Sequence, residues 1–414
     1  MKMKGDMKFA SALTVQPGST ARDVSAAVDD LIEQLRVQDM TQDIDFLQIF
    51  ISAKFARAAS FITNELRQTL NARVMIGCTA EGVIGHDGAD GHDAEVEEEP
   101  AISLLAAQLP GVELRPFALN GATRGEWDAL LGDSLTFRRA IGITGEVKFA
   151  TILADPFSTP MDDILTAFDM FYPNVPIVGG MASGSNTPGG NVLIYNDLSL
   201  HMGLVGVAFV GNITVDTVVS QGCRPVGKLF NVTAAKQNLI LELNGRSAFE
   251  ELQVAINALS DSERTLFRKS GVFLGRAINP NAEILGRGDF LIRGVMGVDP
   301  KVGAIAVGDF FHPGDKVQLH VRDAAAAEED LAMMLAPQTF YSPAQGALLF
   351  SCNGRGTRLF DHAHADIGLV QEAVNGVPLA GFFCAGELGP VGGRNFMHGH
   401  TASIVFFRAM TESA

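Results

Sequence analysis

Cysteine is scarce in this chain. Only Cys78, Cys223, Cys352 and Cys384 occur in 414 residues, and none forms a CxxC pair. Zinc and thioredoxin-type chemistry therefore lack their usual spacing, and the thiols read as free groups of a reducing compartment. Positive charge is also short: 31 Lys and Arg stand against 47 Asp and Glu, a formal net charge of −16. Such a balance opposes phosphate backbones and anionic lipid, so no nucleic-acid partner and no membrane partner is expected. The start, MKMKGDMKFAS, has no apolar core of signal-peptide length, and no uninterrupted apolar run reaches about eighteen residues. The expected location is cytoplasmic. Also missing are G-x-x-x-x-G-K-[ST], H-E-x-x-H, G-x-G-x-x-G and G-x-S-x-G. Without them, nucleotide hydrolysis, zinc proteolysis, Rossmann binding and a serine-hydrolase elbow have no signature, and no cofactor is expected.

What is present is an apolar, glycine-rich chain, 47% hydrophobic and only 19% charged, with 44 glycines. Its length fits about two to three domains with sizeable cores. One pattern occurs three times. Phe46 to Ile51 ends at Ser52, helical spacing runs through Phe61, Ile62, Leu66 and Leu70, and Val74 to Ile76 opens the turn Gly77-Cys78-Thr79-Ala80-Glu81-Gly82. Phe149 to Ala154 ends at Asp155, Met161, Ile164, Leu165 and Phe168 follow, and Pro176 to Val178 opens Gly179-Gly180-Met181-Ala182-Ser183-Gly184. A looser third copy runs from Ala347 to Phe350, through Ser351, Ile367 and Val370, to Pro378 to Ala380 and Gly381-Phe382-Phe383-Cys384-Ala385-Gly386.

A strand, a crossover helix and a second apolar strand imply a parallel βαβ unit, whose right-handed crossover puts both strand C-terminal ends on one edge. Ser52, Asp155 and Ser351 stand where a side-chain oxygen caps free N–H groups. A further strand follows each turn, Ala101 to Ala107, Gly203 to Val210 and Thr401 to Phe407, and antiparallel pairing is expected for it. The expected fold class is α/β, with mixed β-sheets built from repeated strand-helix-strand-Gly turn-strand units in two related domains. Phe290 to Val321 reads as a three-strand meander. Helices are expected at Ala21 to Leu35, Ala248 to Leu259 and Ala324 to Leu335. The boundary is placed near Cys223 to Lys228. Seven acids and no Lys or Arg lie between Gly85 and Pro100, which predicts a solvated, mobile loop without a function of its own. His362-x-His364 and His398-x-His400 lack a third ligand at fixed spacing, and no metal is assigned to them.

The densest polar group in an apolar setting is Ser351-Cys352-Asn353-Gly354-Arg355-Gly356 after one strand and Cys384-Ala385-Gly386-Glu387 after the next. Both belong at one sheet edge, where α/β proteins bind ligands. A cation and an anion then face one pocket, or else pair with each other.

These segments, with Gly386-Glu387-Leu388-Gly389-Pro390, His398, Thr401, Phe290-Leu291-Ile292-Arg293 and the turns at 76–82 and 176–184, resemble FIST domain proteins over nearly the whole chain. The resemblance implies an N-terminal domain over 1–222 and a C-terminal domain over 223–414. It implies a sensory, signal-transduction module for a small molecule, with amino acids as proposed ligands and a signalling protein as the output partner. It supplies no agreed catalytic set. The ligand-binding candidates are Cys352, Asn353, Arg355, Gly386, Glu387, His398, Arg293, Cys78 and Thr79, in a pocket of the C-terminal domain.

Two readings follow. In one, Arg355 takes the carboxylate and Glu387 the ammonium of a zwitterion. In the other, Cys352 is the nucleophile of an enzyme, with Arg355 lowering its pKa and His398 or His400 as base. A non-catalytic interaction scaffold is the third alternative.

Overall fold

The computed structural model describes residues 6–143 and 145–410. The described residues form two compact units, and neither is a half of the sequence: the first joins those up to 219 with 332–397 and those from 401, the second is 220–331 with 398–400. The division therefore differs from 1–222 and 223–414, because the last eighty or so residues complete sheets begun by the first two hundred.

The first unit is one motif used three times. Its first copy runs β1 (Lys8–Val15), α1 (Ala21–Val37), β2 (Phe46–Ser52), α2 (Ala59–Leu70), β3 (Val74–Ala80), a hairpin β4 (Val83–Asp87) and β5 (His92–Val96), and β6 (Ala101–Gln108). The second runs β7 (Val112–Leu119), α3 (Arg124–Leu131), α4 (Ser134–Ile141), β8 (Val147–Ala154), α5 (Met161–Phe171), β9 (Ile177–Met181), a hairpin β10 (Leu193–Tyr195) and β11 (Leu198–Leu200), and β12 (Leu204–Gly211). The third opens with β13 (Thr214–Gln221), after which the second unit is inserted.

That second unit comprises β14 (Cys223–Lys236), β15 (Leu239–Leu243), β16 (Arg246–Ser247), α6 (Ala248–Asn257), α7 (Asp261–Ser270), β17 (Phe273–Ala277), β18 (Phe290–Asp299), β19 (Ala304–Val307) and β20 (Lys316–Arg322). The long β14 pairs β20 along its first part and β15 along its last, so the antiparallel order β14-β20-β17-β18-β19-β15 closes on itself. Closure removes the unpaired edges of an open sheet. Val226, Phe230, Leu274, Ile305, Val317 and Leu319 fill its core. The expected meander is corrected here: β18 and β19 are neighbours, but β20 pairs β17 and β14, so β17 separates it from β18.

The chain leaves the second unit within α8 (Ala324–Leu335), and the third copy then resumes with β21 (Gly346–Cys352), α9 (Ala365–Val374), β22 (Leu379–Cys384), the pair β23 (Glu387–Val391) and β24 (Arg394–His398), and β25 (Thr401–Arg408). In all three copies the βαβ strands are parallel, β2 with β3, β8 with β9 and β21 with β22. The closing strands β6, β12 and β25 run antiparallel beside β2, β8 and β21.

The sheet orders are β1-β6-β2-β3-β10-β11, β7-β12-β8-β9-β23-β24 and β13-β25-β21-β22-β4-β5. Each copy thus lends its two-stranded excursion to another copy's sheet, in a closed cycle. The acidic stretch 85–100 is part of one such excursion rather than a free loop. Ala94, Glu95 and Val96 are buried because β4 has added to β22.

Glycine makes the parallel pairs close. Gly77, Gly179 and Gly381 stand opposite Ile49, Ile152 and Leu349 in register, and a Cβ on any of them would penetrate that partner's carbonyl oxygen. Phenylalanine fills the space between the sheets: Phe50 packs on Phe350 and Phe382, Phe209 on Phe46 and Phe149, and Phe407 on Phe9 and Phe209. These rings have no polar tip to satisfy, which suits a dry centre shared by three sheets.

Candidate functional site

The crossovers place the C-terminal ends of β2, β3, β9, β21 and β22 at one place in the first unit. A cavity of about 560 Å³ opens there, within the usual range of about 300–1,000 Å³ for small-molecule pockets. Ala53 and Lys54 reach it from the end of β2, Glu81 and Gly82 from β3, Ser183 to Asn186 from β9, Asn353, Thr357 and Arg358 from β21, and Phe383 from β22. Glu97 and Glu98 come from the end of the lent hairpin. The pocket is therefore assembled from both halves of the sequence, not from residues 223–414 alone.

Its floor is tied by one hydroxyl. Ser183 Oγ accepts the Glu81 N–H at 2.9 Å and donates to the Phe383 carbonyl, so a single side chain joins the three copies. Its rim is ionic. Glu81 receives Asn353 Nδ2 at 3.1 Å and the Arg358 guanidinium, and Arg358 also donates to the Asn353 carbonyl at 2.8 Å. Glu97 receives the Thr357 N–H at 2.8 Å and the Thr357 hydroxyl at 3.0 Å. Lys54 and Glu98 line the same cavity, are exposed, and have no hydrogen bond or ion pair among the described residues.

Beneath this cleft lies a buried polar cluster. Arg355 is 1% exposed and grips Asp366, at the start of α9, with Nε–Oδ2 2.8 Å and Nη2–Oδ1 2.6 Å. Phe360 covers the guanidinium, whose Nη1 has no hydrogen-bond partner. Burial works against its charge, but Asp366 outweighs that and the Arg355 pKa is raised.

Glu387 is fully buried. Its Oε2 accepts the Thr401 hydroxyl at 2.8 Å and the Thr401 N–H at 3.2 Å, while its Oε1 is unpartnered. Burial pushes its pKa to about 8, against the pull of Thr401, Arg355 and Cys352. Glu95 behaves alike, raised to about 8 by burial and the Asp366 charge, with Oε1 accepting the Ile367 N–H.

The residues marked from sequence are thus only partly gathered. Cys352, Asn353, Arg355 and Glu387 do come together, but of the four only Asn353 lines the cleft. Arg355 pairs with Asp366 rather than with Glu387 or open solvent, because α9 brings a carboxylate directly across from it. Cys78 is buried within β3, and Thr79 spends its hydroxyl on the Val192 N–H and its carbonyl on the Gly184 N–H. Gly386 presents its carbonyl to Met181 N. Arg293 and His398 belong to the second unit, where Arg293 holds Asp309 at 3.1 Å.

Of the three expected caps, only Asp155 serves, taking Phe157 N and Ser158 Oγ. Ser52 accepts Ala101 N, and Ser351 donates to Asp366. Among the described residues no group of three or more His, Cys, Asp or Glu could hold a metal ion, and no helix is long and apolar enough to cross a membrane.

Lys54, Glu81, Glu98, Arg358 and Asp366 were missed. Glu81 had a signal, since it occupies the turn that was recognised as repeated. Glu98 sat inside the acid run set aside as a loop.

A FIST N domain matches residues 45–246 and a FIST C domain residues 248–390. Uncharacterized protein Rv0628c of Mycobacterium tuberculosis is 34% identical over 392 residues, covering 94% of this chain and 98% of that protein. Uncharacterized protein Mb0898c of Mycobacterium bovis is 36% identical over 353 residues, covering 85% and 87%. The solved structure of T. maritima PurL complexed with ATP matches at a TM-score of 0.23 and 9% identity, so it bears on neither fold nor function.

Proposed function

Because the chain belongs to the FIST family, whose domains are sensory and signal-transduction modules, we propose that it binds a small zwitterion, an amino acid in the first instance, in the cleft at the ends of the three parallel pairs. The observation that carries the reading is one charge of each sign in one cavity, Lys54 and Glu98, neither in a hydrogen bond or ion pair among the described residues. Lys54 suits the ligand carboxylate and Glu98 its ammonium, with Asn353 and Ser185 beside them. Each charge-assisted bond is worth about 1.5–3 kcal/mol net, and two or three of them with modest apolar burial on Phe383 give affinity on the order of micromolar.

The Arg358–Glu81 bridge is the internal counterpart of such a ligand. It holds the loop 353–358 against the turn 81–82, across two copies of the repeat. A zwitterion that competes for either partner loosens that loop, which gives binding a structural output for a signalling partner.

The test is ligand-detected binding of a mixture of the proteinogenic amino acids to the full chain and to Lys54→Ala and Glu98→Gln. The reading requires at least one amino acid to bind the parent chain and each substitution to weaken it by about tenfold, the equivalent of 1.4 kcal/mol. No binding, or binding untouched by both changes, removes it.

A further inference from the structure

The thiols under the cleft are not used by the ligand reading. Cys352 and Cys384 stand directly opposite each other in the parallel register of β21 and β22, so their side chains leave the same face of the sheet. Asn353 N–H donates to the Cys384 carbonyl at 2.8 Å, which fixes the two strand ends together. Neighbouring strands run about 4.8 Å apart, inside the Cα separation of about 4.4–6.8 Å that a disulfide spans. Cys78, within β3, is also close enough for its charge to act on Cys384.

The thiols differ in their surroundings. Cys352 alone retains measurable exposure, 6%, against 0% for Cys78 and Cys384. Its Sγ accepts the Gly354 N–H at 3.4 Å, and the Arg355 charge acts on it. The thiol donates to Asn353 Oδ1 at 3.9 Å, and the Glu387 carboxyl also lies within hydrogen-bonding reach. An N–H donor and a guanidinium beside the sulfur are the surroundings in which a thiol is most reactive. Cys78 and Cys384 have the opposite setting, and burial pushes both thiols up. Arg355 and Glu387, the two groups picked out in the sequence, both act on Cys352.

We propose that Cys352 is an oxidation site for hydroperoxides and that Cys384 is its resolving thiol, the two closing an intrachain disulfide beneath the cleft. The Cys352 sulfur attacks one oxygen of hydrogen peroxide, the S–O bond forms as the O–O bond breaks, and the thiol proton leaves with the departing hydroxide as water. Sulfur is oxidised by two electrons and the peroxide reduced by two. Cys384 sulfur then attacks the Cys352 sulfenic sulfur. The S–S bond forms, the S–O bond breaks, and hydroxide leaves with the Cys384 proton as a second water. Because Cys352 is followed directly by the rim loop 353–358, the link alters the cleft from below.

The experiment is hydrogen peroxide treatment of the folded full chain, alkylation of remaining thiols, and mass spectrometry of a non-reduced digest. The expected product is a Cys352–Cys384 linked peptide pair lost on adding dithiothreitol. In Cys384→Ser, dimedone should trap sulfenic acid at Cys352. The proposal is overturned if Cys352 stays unmodified at a dose that oxidises the exposed methionines, if the link forms only after guanidinium unfolding, or if Cys352 pairs with Cys78 instead. The parent chain alone answers all three of these outcomes, so a misfolded variant does not blunt the test.

Discussion

Arg355 and Asp366 form a bidentate ion pair with both side chains at 0% exposure. A pair so placed is costly to break, because removing one member strands the other charge in a medium that cannot hydrate it. Asp366→Asn should destabilise the first unit by about 3–5 kcal/mol, read as a lower denaturant midpoint. Replacing both partners with apolar residues, Arg355→Met with Asp366→Leu, should recover most of the loss. A single substitution that leaves the midpoint unmoved would show that the pair is not formed.

Glu387 and Glu95 give stability a definite slope with pH. Each is raised from 4.5 to about 8 in the folded chain. Below pH 4.5 both states hold the proton and nothing is lost. Between 4.5 and 8 the folded state keeps a proton that the unfolded state has released, so stability falls as pH rises, by about 1.4 kcal/mol per pH unit per group. His320 in the second unit acts in the other direction: burial lowers it from 6.5 to about 4, so its contribution is lost as pH falls through that window. Above pH 6.5 the His320 contribution is complete and the carboxyl slope remains. Denaturant titrations at pH 6.5, 7 and 7.5 should show it, and Glu387→Gln should remove about one group's share.

Gly381 faces the Leu349 carbonyl with no room for a Cβ. Gly381→Ala should force β21 and β22 apart, at the roughly 1–3 kcal/mol or more that overpacking costs. Gly368, whose added Cβ would meet nothing within 4 Å, is the control. Gly368→Ala lies within α9 and should be neutral or mildly stabilising. Thermal unfolding of the two variants side by side reads the contrast.

The repeated architecture was legible because each parallel strand is buried on both faces and so reads as a continuous apolar run. β2 and β3 are buried at every residue. The glycine turns were legible for a related reason, since Gly77, Gly179 and Gly381 each answer the same steric demand. The lent hairpins were not. Pairing of β4 with β22 joins residues about three hundred apart, and nothing local in His86 or Glu95 announces a partner at that distance. The site failed in the same way. Arg355 looked available because its true partner, Asp366, is placed by a helix whose docking the sequence does not print, and the cleft draws Lys54 and Glu98 from segments that local pattern reading treats as a strand end and a loop.

Thermal unfolding of the full chain against a panel of individual amino acids tests the ligand reading most directly. A ligand present at about 100 times its dissociation constant adds about 2.7 kcal/mol, so the account predicts that at least one amino acid raises the midpoint by several degrees in the parent chain and by little in Lys54→Ala. A panel in which no amino acid moves the parent midpoint, or in which Lys54→Ala responds as the parent does, would contradict it.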